Sequence, residues 1–141
     1  MKKVSLEIYI DGASQGNPGK SGAGAIICED GQVVKNISKY IGEATNNVAE
    51  YLALIFALQE ALMRKASDVI VKTDSELLCN QINKNFKVKS NNLKVFFEQA
   101  QHLISGFDKF KIEHIPRTEN KGADKLASKA IREQAKVIAR H

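Results

Sequence analysis

The segment Leu6-Glu7-Ile8-Tyr9-Ile10-Asp11-Gly12 sets the first element of the fold, because apolar residues alternate with other residues up to an acid. A period of two is typical of a β-strand with one buried face. Residues 25–29 and 32–40 are the next predicted strands, joined at Asp30-Gly31, a strong hairpin signal. The glycines and proline between Gly12 and Gly24 predict a turn-rich loop. The chain is therefore expected to open as an antiparallel meander.

The hydrophobic period changes at Thr45. Apolar residues then recur every three or four positions as far as Met63, which predicts a long amphipathic helix. The short run Val69-Ile70-Val71 is typical of a strand buried on both faces, and it ends at Thr73-Asp74. The other predicted elements are helices over residues 75–83, 92–104 and 120–135 and a strand over residues 107–115. This order predicts an α/β domain whose five-stranded mixed sheet, three antiparallel strands followed by two parallel ones, is flanked by helices.

Composition places the chain among soluble single-domain proteins, with 141 residues, 43% hydrophobic and 26% charged. One domain is expected over residues 1–135, with a basic C-terminal tail over residues 136–141. No apolar run approaches the roughly 20 residues of a membrane helix, so we expect no membrane partner and a cytoplasmic location. We also expect a monomer. The net charge of +5 suits a polyanion such as nucleic acid. Cys28 and Cys79 are interpreted as buried thiols.

Four acids lie where predicted strands end or predicted helices begin: Asp11, Glu50, Asp74 and Asp124. In α/β sheets this edge is where ligands bind. If the first and fourth strands are parallel neighbours, Asp11 and Asp74 stand side by side, and two such carboxylates repel unless a cation lies between them. Oxygen ligands favour a hard ion such as Mg²⁺ or Mn²⁺, and the scarcity of nearby Cys and His argues against zinc.

Each acid also has a purely structural interpretation. Asp11-Gly12 can open a turn, and Asp74-Ser75 can cap a helix. Glu50 and Asp124 can complement the positive ends of their helices. All four structural interpretations would have to hold together, which favours a shared metal site.

Four motifs that contain these acids follow one another along the chain. They are Ile8-Tyr9-Ile10-Asp11-Gly12-Ala13-Ser14 with Gly16-Asn17-Pro18-Gly19, Thr45-Asn46-Asn47-Val48-Ala49-Glu50, Thr73-Asp74-Ser75, and Asn120-Lys121-Gly122-Ala123-Asp124-Lys125-Leu126-Ala127. Together they resemble ribonuclease H of type 1 over residues 4–131, in its compact form without the basic protrusion and the histidine loop. The resemblance implies a ribonuclease H-like fold and an endonuclease that hydrolyses the RNA strand of RNA–DNA hybrids. The implied products are a 5′-phosphate and a 3′-hydroxyl.

The resemblance also implies roles for individual residues. The four acids would be catalytic and would hold two Mg²⁺ ions, with Mn²⁺ as an alternative. The residues expected to contact the substrate are Gly12, Asn17, Thr45, Asn46, Asn47, Ser75 and Arg117. The 2′-hydroxyl is the group that distinguishes RNA from DNA, and backbone amides of the glycine-rich loop and the asparagine side chains are suitable partners for it.

Several of these contacts have alternatives that the sequence leaves open. Asn17 can belong to a tight Asn-Pro-Gly turn instead. Thr45 can be a helix N-cap, a role compatible with holding a DNA phosphate. Arg117 can lie near the scissile phosphate or be an ordinary surface charge. The lysine-rich segment 84–94, where relatives carry the basic protrusion, can be a reduced substrate grip or a soluble loop.

Two other functions compete with this interpretation. A non-catalytic domain that binds hybrid or double-stranded RNA would have no reason to retain four mutually repelling acids. A 3′ exonuclease on the same fold usually carries Asp-x-Glu on its first strand, whereas Asp11 is followed by Gly12-Ala13. Cleavage of double-stranded RNA stays open as a second activity, because contacts that select RNA in one strand need not exclude it from the other.

Overall fold

The computed structural model describes residues 2–140, within which it has five strands and four α-helices. The strands are β1 (Ser5–Ser14), β2 (Gly19–Glu29), β3 (Gln32–Ala44), β4 (Asp68–Thr73) and β5 (Lys109–His114). The helices are α1 (Asn46–Met63), α2 (Glu76–Ile82), α3 (Asn91–Ile104) and α4 (Lys121–Ala139), with a 3₁₀ turn at Arg117–Glu119 before α4. The predicted order of elements is confirmed.

The strands form one mixed sheet in the order β3-β2-β1-β4-β5. β1 and β2 are antiparallel, as are β2 and β3, whereas β4 is parallel to both β1 and β5. The predicted sheet is therefore confirmed, including the parallel pairing of the first and fourth strands. Ile10 pairs with Thr73 at the end of the β1–β4 pairing. Asp11 and Asp74, the next residues of the two strands' chains, therefore lie at the same edge of the sheet.

The sheet and α1 share the main hydrophobic core. Ile8, Ile10 and Val71 of the sheet and Leu54 and Leu58 of α1 are fully buried. Full burial of such side chains stabilises a fold by about 1.5–3 kcal/mol each. This packing makes β1 and α1 a rigid base for the side chains at the edge of the sheet.

The glycine-rich segment differs from its prediction. β1 continues to Ser14 and β2 begins at Gly19, so only residues 15–18 connect them instead of the predicted loop over residues 12–24. The reason is the packing of α4 across β2, since a Cβ atom on Gly24 would lie 2.6 Å from the backbone nitrogen of Ala127. Glycine at this position permits close approach of a helix rather than a turn.

The C-terminal boundary also differs from its prediction. α4 continues to Ala139, so residues 136–139 of the predicted tail are helical. Met1 and His141 lie outside the described residues.

Two further predictions from composition can be compared with the structure. Cys79 is buried as predicted, whereas Cys28 is only half-buried. Among residues 2–140, no helix is long and apolar enough to cross a membrane.

Candidate active site

Three of the four acids converge at the edge of the sheet where the pairing of β1 with β4 ends. Asp11 lies on β1, Asp74 directly follows β4, and Glu50 lies in the first turns of α1. Carboxylate oxygens of Asp11, Glu50 and Asp74 lie within 4.8 Å of one another. Asp11 and Glu50 are only 5% and 6% exposed, whereas Asp74 is half-buried. The structure thus gathers three like-charged groups from distant parts of the sequence.

Gly12 allows Glu50 to come this close. A Cβ atom on Gly12 would lie 2.5 Å from the backbone nitrogen of Glu50 and 2.7 Å from the carbonyl oxygen of Ala49. The backbone N–H of Gly12 donates a hydrogen bond to Oε1 of Glu50. The other oxygen of this carboxylate, Oε2, is buried without a hydrogen-bond partner among the described residues. A buried carboxylate oxygen without a partner is costly, so this atom calls for a ligand that the protein itself does not supply.

The crowding shifts the protonation of the two buried acids. Burial raises the pKa of Asp11, and the negative charges of Glu50 and Asp74 raise it further. Burial also raises the pKa of Glu50, although its contacts with Asp11 and the Gly12 amide act in the opposite direction. Both shifts mean that the folded protein disfavours the ionised forms of these two carboxylates.

A divalent cation would relieve each of these features. It would favour the ionised carboxylates, compensate the like charges and provide a partner for the unpaired Glu50 oxygen. A set of carboxylate oxygens suits a hard cation, and neither His102 nor His114, both of which are exposed, belongs to this group. Asp11, Glu50 and Asp74 therefore fit a divalent metal site.

Asp124 lies beside this group rather than within it. It is in the first turn of α4 and is exposed. It lines the same cavity of about 350 Å³ as the three converging acids. The nearby Asp124 side chain contributes to the raised pKa of Asp11. All four predicted acids thus face one cavity, three at its base and Asp124 on the solvent side.

Five of the predicted substrate contacts also line the cavity: Gly12, Asn46, Asn47, Ser75 and Arg117. The Ser75 hydroxyl accepts a hydrogen bond from the Leu78 amide at 3.1 Å, so Ser75, and not Asp74, is the N-cap of α2. Arg117 is exposed, and its charge lowers the pKa of Glu50 in opposition to burial. The cavity therefore combines an acidic base with polar and basic walls.

The two remaining predicted contacts support the start of α1. Oδ1 of Asn17 accepts a hydrogen bond from the Asn46 amide at 3.1 Å. Oγ1 of Thr45 accepts one from the Val48 amide at 3.2 Å, which confirms that Thr45 is a helix N-cap. Both residues thus hold the chain that presents Asn46 to the cavity. Their contact with a substrate stays a prediction.

Sequence reasoning missed the part played by Asn120, which it placed only at the start of the last helix. The side chain is 1% exposed, and Nδ2 donates to the Ile10 carbonyl at 2.8 Å and to Oδ2 of Asp74 at 3.1 Å. It makes no capping hydrogen bond to α4. The only signal in the sequence was its place in the fourth motif, four residues before Asp124.

Comparison with known proteins agrees with this geometry. The family model described as reverse transcriptase-like matches residues 9–130. A ribonuclease H from Francisella philomiragia is 38% identical over 146 residues, covering 94% of this chain and 94% of its own length. The chain belongs to the ribonuclease H family of enzymes. The resemblance inferred from the four motifs is thereby confirmed.

Solved ribonuclease H structures share the whole fold. RNase H1 from the archaeon Halobacterium salinarum superimposes with a TM-score of 0.89 at 38% identity, covering 92% of this chain and 98% of that one. LC11-RNase H1, solved in complex with an RNA/DNA hybrid, superimposes with a TM-score of 0.88 at 40% identity, covering 92% and 99%. Some relatives are longer, since the chain spans only 36% of a bifunctional protein from Mycobacterium tuberculosis to which it is 40% identical over 130 residues.

Proposed function

We propose that the protein is a metal-dependent endonuclease that hydrolyses the RNA strand of RNA–DNA hybrids. The observation that carries the proposal is the convergence of Asp11, Glu50 and Asp74 within 4.8 Å in a chain of the ribonuclease H family. Support for the substrate comes from LC11-RNase H1, a relative of the same fold that was solved with an RNA/DNA hybrid. The net charge of +5 also favours a polyanionic substrate.

Mg²⁺ is the proposed cation, with Mn²⁺ as a substitute, because the candidate ligands are carboxylate oxygens. Asp11, Glu50, Asp74 and Asp124 would together hold two ions. When bound, such a pair of ions supplies an activated water and stabilises the leaving oxygen of an in-line phosphodiester displacement. Cleavage of the bond between phosphorus and the 3′ oxygen leaves a 5′-phosphate and a 3′-hydroxyl.

The surrounding residues would orient the acids and the scissile phosphate. The Gly12 amide holds one oxygen of Glu50, so that the unpaired Oε2 atom stays at the base of the cavity. Arg117 lines the cavity and would pair with a phosphate oxygen, since its guanidinium donates two parallel hydrogen bonds to such groups. A positive group at this place also stabilises charge that develops during displacement.

Strand choice would depend on Asn46 and Asn47. Both line the cavity at the start of α1, and their amides can donate to and accept from a 2′-hydroxyl. Asn17 would support this contact indirectly, through its hydrogen bond to the Asn46 amide.

Other residues at the cavity would contact the rest of the substrate. Thr45 would place a DNA phosphate at the helix N-terminus, which favours anions. Ser75 keeps its hydroxyl hydrogen free for a substrate oxygen, because its oxygen accepts the cap bond. Gly12 would contribute through the shape of the cavity wall.

Three further elements belong to the same proposal. Double-stranded RNA would be a second, weaker substrate, because 2′-hydroxyl contacts to one strand do not exclude RNA in the other. The active form would be a monomer, since all four acids at the cavity come from one chain. The cytoplasmic location stays a prediction from the sequence.

The test is incubation of the purified protein with end-labelled RNA–DNA hybrid, double-stranded RNA and double-stranded DNA, with Mg²⁺ or with EDTA. We expect cleavage of the hybrid's RNA strand in Mg²⁺ only, and no cleavage of double-stranded DNA. Ligation of the products would identify their 5′-phosphate ends. Cleavage that persists in EDTA, or a hybrid left intact by a folded protein in Mg²⁺, would contradict the proposal.

A further inference from the structure

Asn120 connects three elements that are far apart along the chain. It precedes α4, while its Nδ2 atom donates to the Ile10 carbonyl of β1 and to the Asp74 carboxylate after β4. The residue is 1% exposed, among the most deeply buried polar residues within 2–140. A polar side chain so deeply buried must have partners, and these partners lie 110 and 46 residues away.

The orientation of the Asn120 amide follows from these partners. The Ile10 carbonyl can only accept a hydrogen bond, and an ionised Asp74 carboxylate can also only accept, so both must face the NH₂ group. The opposite orientation would place Oδ1 against two acceptors. In the observed orientation, Oδ1 is buried without a hydrogen-bond partner among the described residues. An apolar side chain of similar volume would avoid that unpaired oxygen, but it would offer no donor to Asp74.

Asp74 needs such a donor. It is half-buried next to Asp11 and Glu50, and repulsion between the carboxylates favours rotation of the Asp74 side chain towards solvent. Asn120 engages Oδ2 of Asp74 and thereby opposes that rotation. Oδ1 of Asp74 remains available for a cation, because Asn120 holds only one of the two carboxylate oxygens.

We propose that Asn120 is a positioning residue that holds Asp74 towards Asp11 and Glu50 and so sets the affinity of the cluster for a divalent cation. The inference rests on the proposed function, because it assumes that the cluster binds metal. Residues that orient the ligands of a metal typically change its affinity or the activity by about 10–100-fold when they are removed. The effect should therefore appear in metal binding even without nucleic acid.

The test compares Asn120→Leu with Gln81→Leu in the full chain. Gln81 is a matched control, since it is 4% exposed, accepts a buried hydrogen bond from Tyr51 at 2.7 Å and does not line the cavity that the acids share. Calorimetric titration with Mg²⁺, repeated with Mn²⁺, should show affinity about 10-fold or more weaker for Asn120→Leu and unchanged for Gln81→Leu. Asn120→Ala serves if the leucine variant does not fold, because alanine has no side-chain donor for the Asp74 carboxylate.

Kinetics on the hybrid provide the second measurement. Asn120→Leu should lose activity at low Mg²⁺ and recover it as Mg²⁺ is raised, with KM for the hybrid within about twofold of wild type. Metal affinity of the folded variants equal to that of wild type would overturn the positioning role while leaving the proposed function intact. Failure of the wild-type protein to cleave hybrid would instead overturn the proposed function.

Discussion

Two cavities of this protein differ in size and in the chemistry of their walls. The larger, about 500 Å³, lies between α2 and α3, and its walls combine apolar side chains such as Phe86 and Phe97 with lysines such as Lys84, Lys87 and Lys94. The smaller, about 350 Å³, lies at the edge of the sheet and contains four acids. Size alone would favour the first as the active site. Chemistry favours the second, because only there are like charges buried together.

The two cavities also differ in the energetic cost of placing their charged residues. Around the larger cavity the lysines are exposed and solvated, so their placement costs little. At the sheet edge, Asp11 and Glu50 are buried beside each other, and one oxygen of Glu50 has no hydrogen-bond partner among residues 2–140. Such a cost is compensated only when a ligand binds, and perturbed acids in a cleft are typical of functional sites. Substitutions at the two cavities should therefore differ sharply in their effect on cleavage.

The largest effect is expected for Asp11→Asn and Asp74→Asn. Bound metal ions supply several kcal/mol of transition-state stabilisation, so removal of either ligand should lower kcat on the hybrid by about 10³-fold or more. Steady-state cleavage of labelled hybrid in Mg²⁺ measures this, and circular dichroism confirms the fold. Lys94→Ala at the larger cavity is the control, with kcat expected within about twofold of wild type. Equal losses in all three variants would remove the distinction between the cavities.

A smaller loss is expected for Gly12→Ala. The added Cβ would lie 2.5 Å from the Glu50 nitrogen, so α1 must move away from β1 and displace the Glu50 carboxylate. We expect activity to fall about 10–100-fold and stability by about 1–3 kcal/mol. In the control Gly122→Ala, the new Cβ would meet only the flexible end of Ile26, which can rotate away. Unchanged cleavage by Gly12→Ala would argue that the close approach of α1 to β1 is not needed.

The pH dependence of stability should show the same burial without substrate. Acids with raised pKa values bind protons more tightly in the folded state, so their contribution is present below about pH 4 and is lost as pH rises. In EDTA, Asp11→Asn should therefore gain stability relative to wild type with rising pH, reaching about 1 kcal/mol or more near pH 8. Urea unfolding at several pH values measures the difference, and Mg²⁺ should reverse its sign. A difference independent of pH would contradict the raised pKa values.

The smallest effect concerns the lysines of the larger cavity. Lys87 and Lys94 would contact the hybrid as solvated charges. The double variant Lys87→Ala/Lys94→Ala should therefore weaken hybrid binding mainly at low salt. The slope of log affinity against log salt should become shallower by roughly one for each phosphate that the variant no longer neutralises. Fluorescence anisotropy with labelled hybrid in Ca²⁺ provides the measurement. A kcat change that persists at saturating substrate would instead place this cavity in the catalytic machinery.

Much of the site is predictable from sequence because its acids interrupt regular patterns. The alternation of β1 runs up to Asp11, and the apolar run of β4 is followed directly by Asp74, so both acids can be assigned to one edge of the sheet. Glu50 follows from the start of a helix whose N-cap, Thr45, is visible in the sequence. These features depend on local periodicity, which a single sequence displays.

Features that depend on distant packing are not predictable in this way. The sequence around Gly24 indicates a loop, because nothing in its neighbourhood reveals that α4 crosses it. The sequence around Asn120 indicates only the start of a helix, because its hydrogen-bond acceptors, on Ile10 and Asp74, belong to other segments. The side chains that support the acids therefore become visible only in three dimensions.

The most direct test of the central claim is a crystal of this protein soaked in Mn²⁺, with the anomalous difference map calculated at the manganese edge. We predict a peak bounded by the carboxylates of Asp11, Glu50 and Asp74, and its disappearance in a crystal of Asp74→Asn treated in the same way. A map without a peak at these three acids, in a crystal whose Mn²⁺ is bound elsewhere on the protein, would contradict the claim.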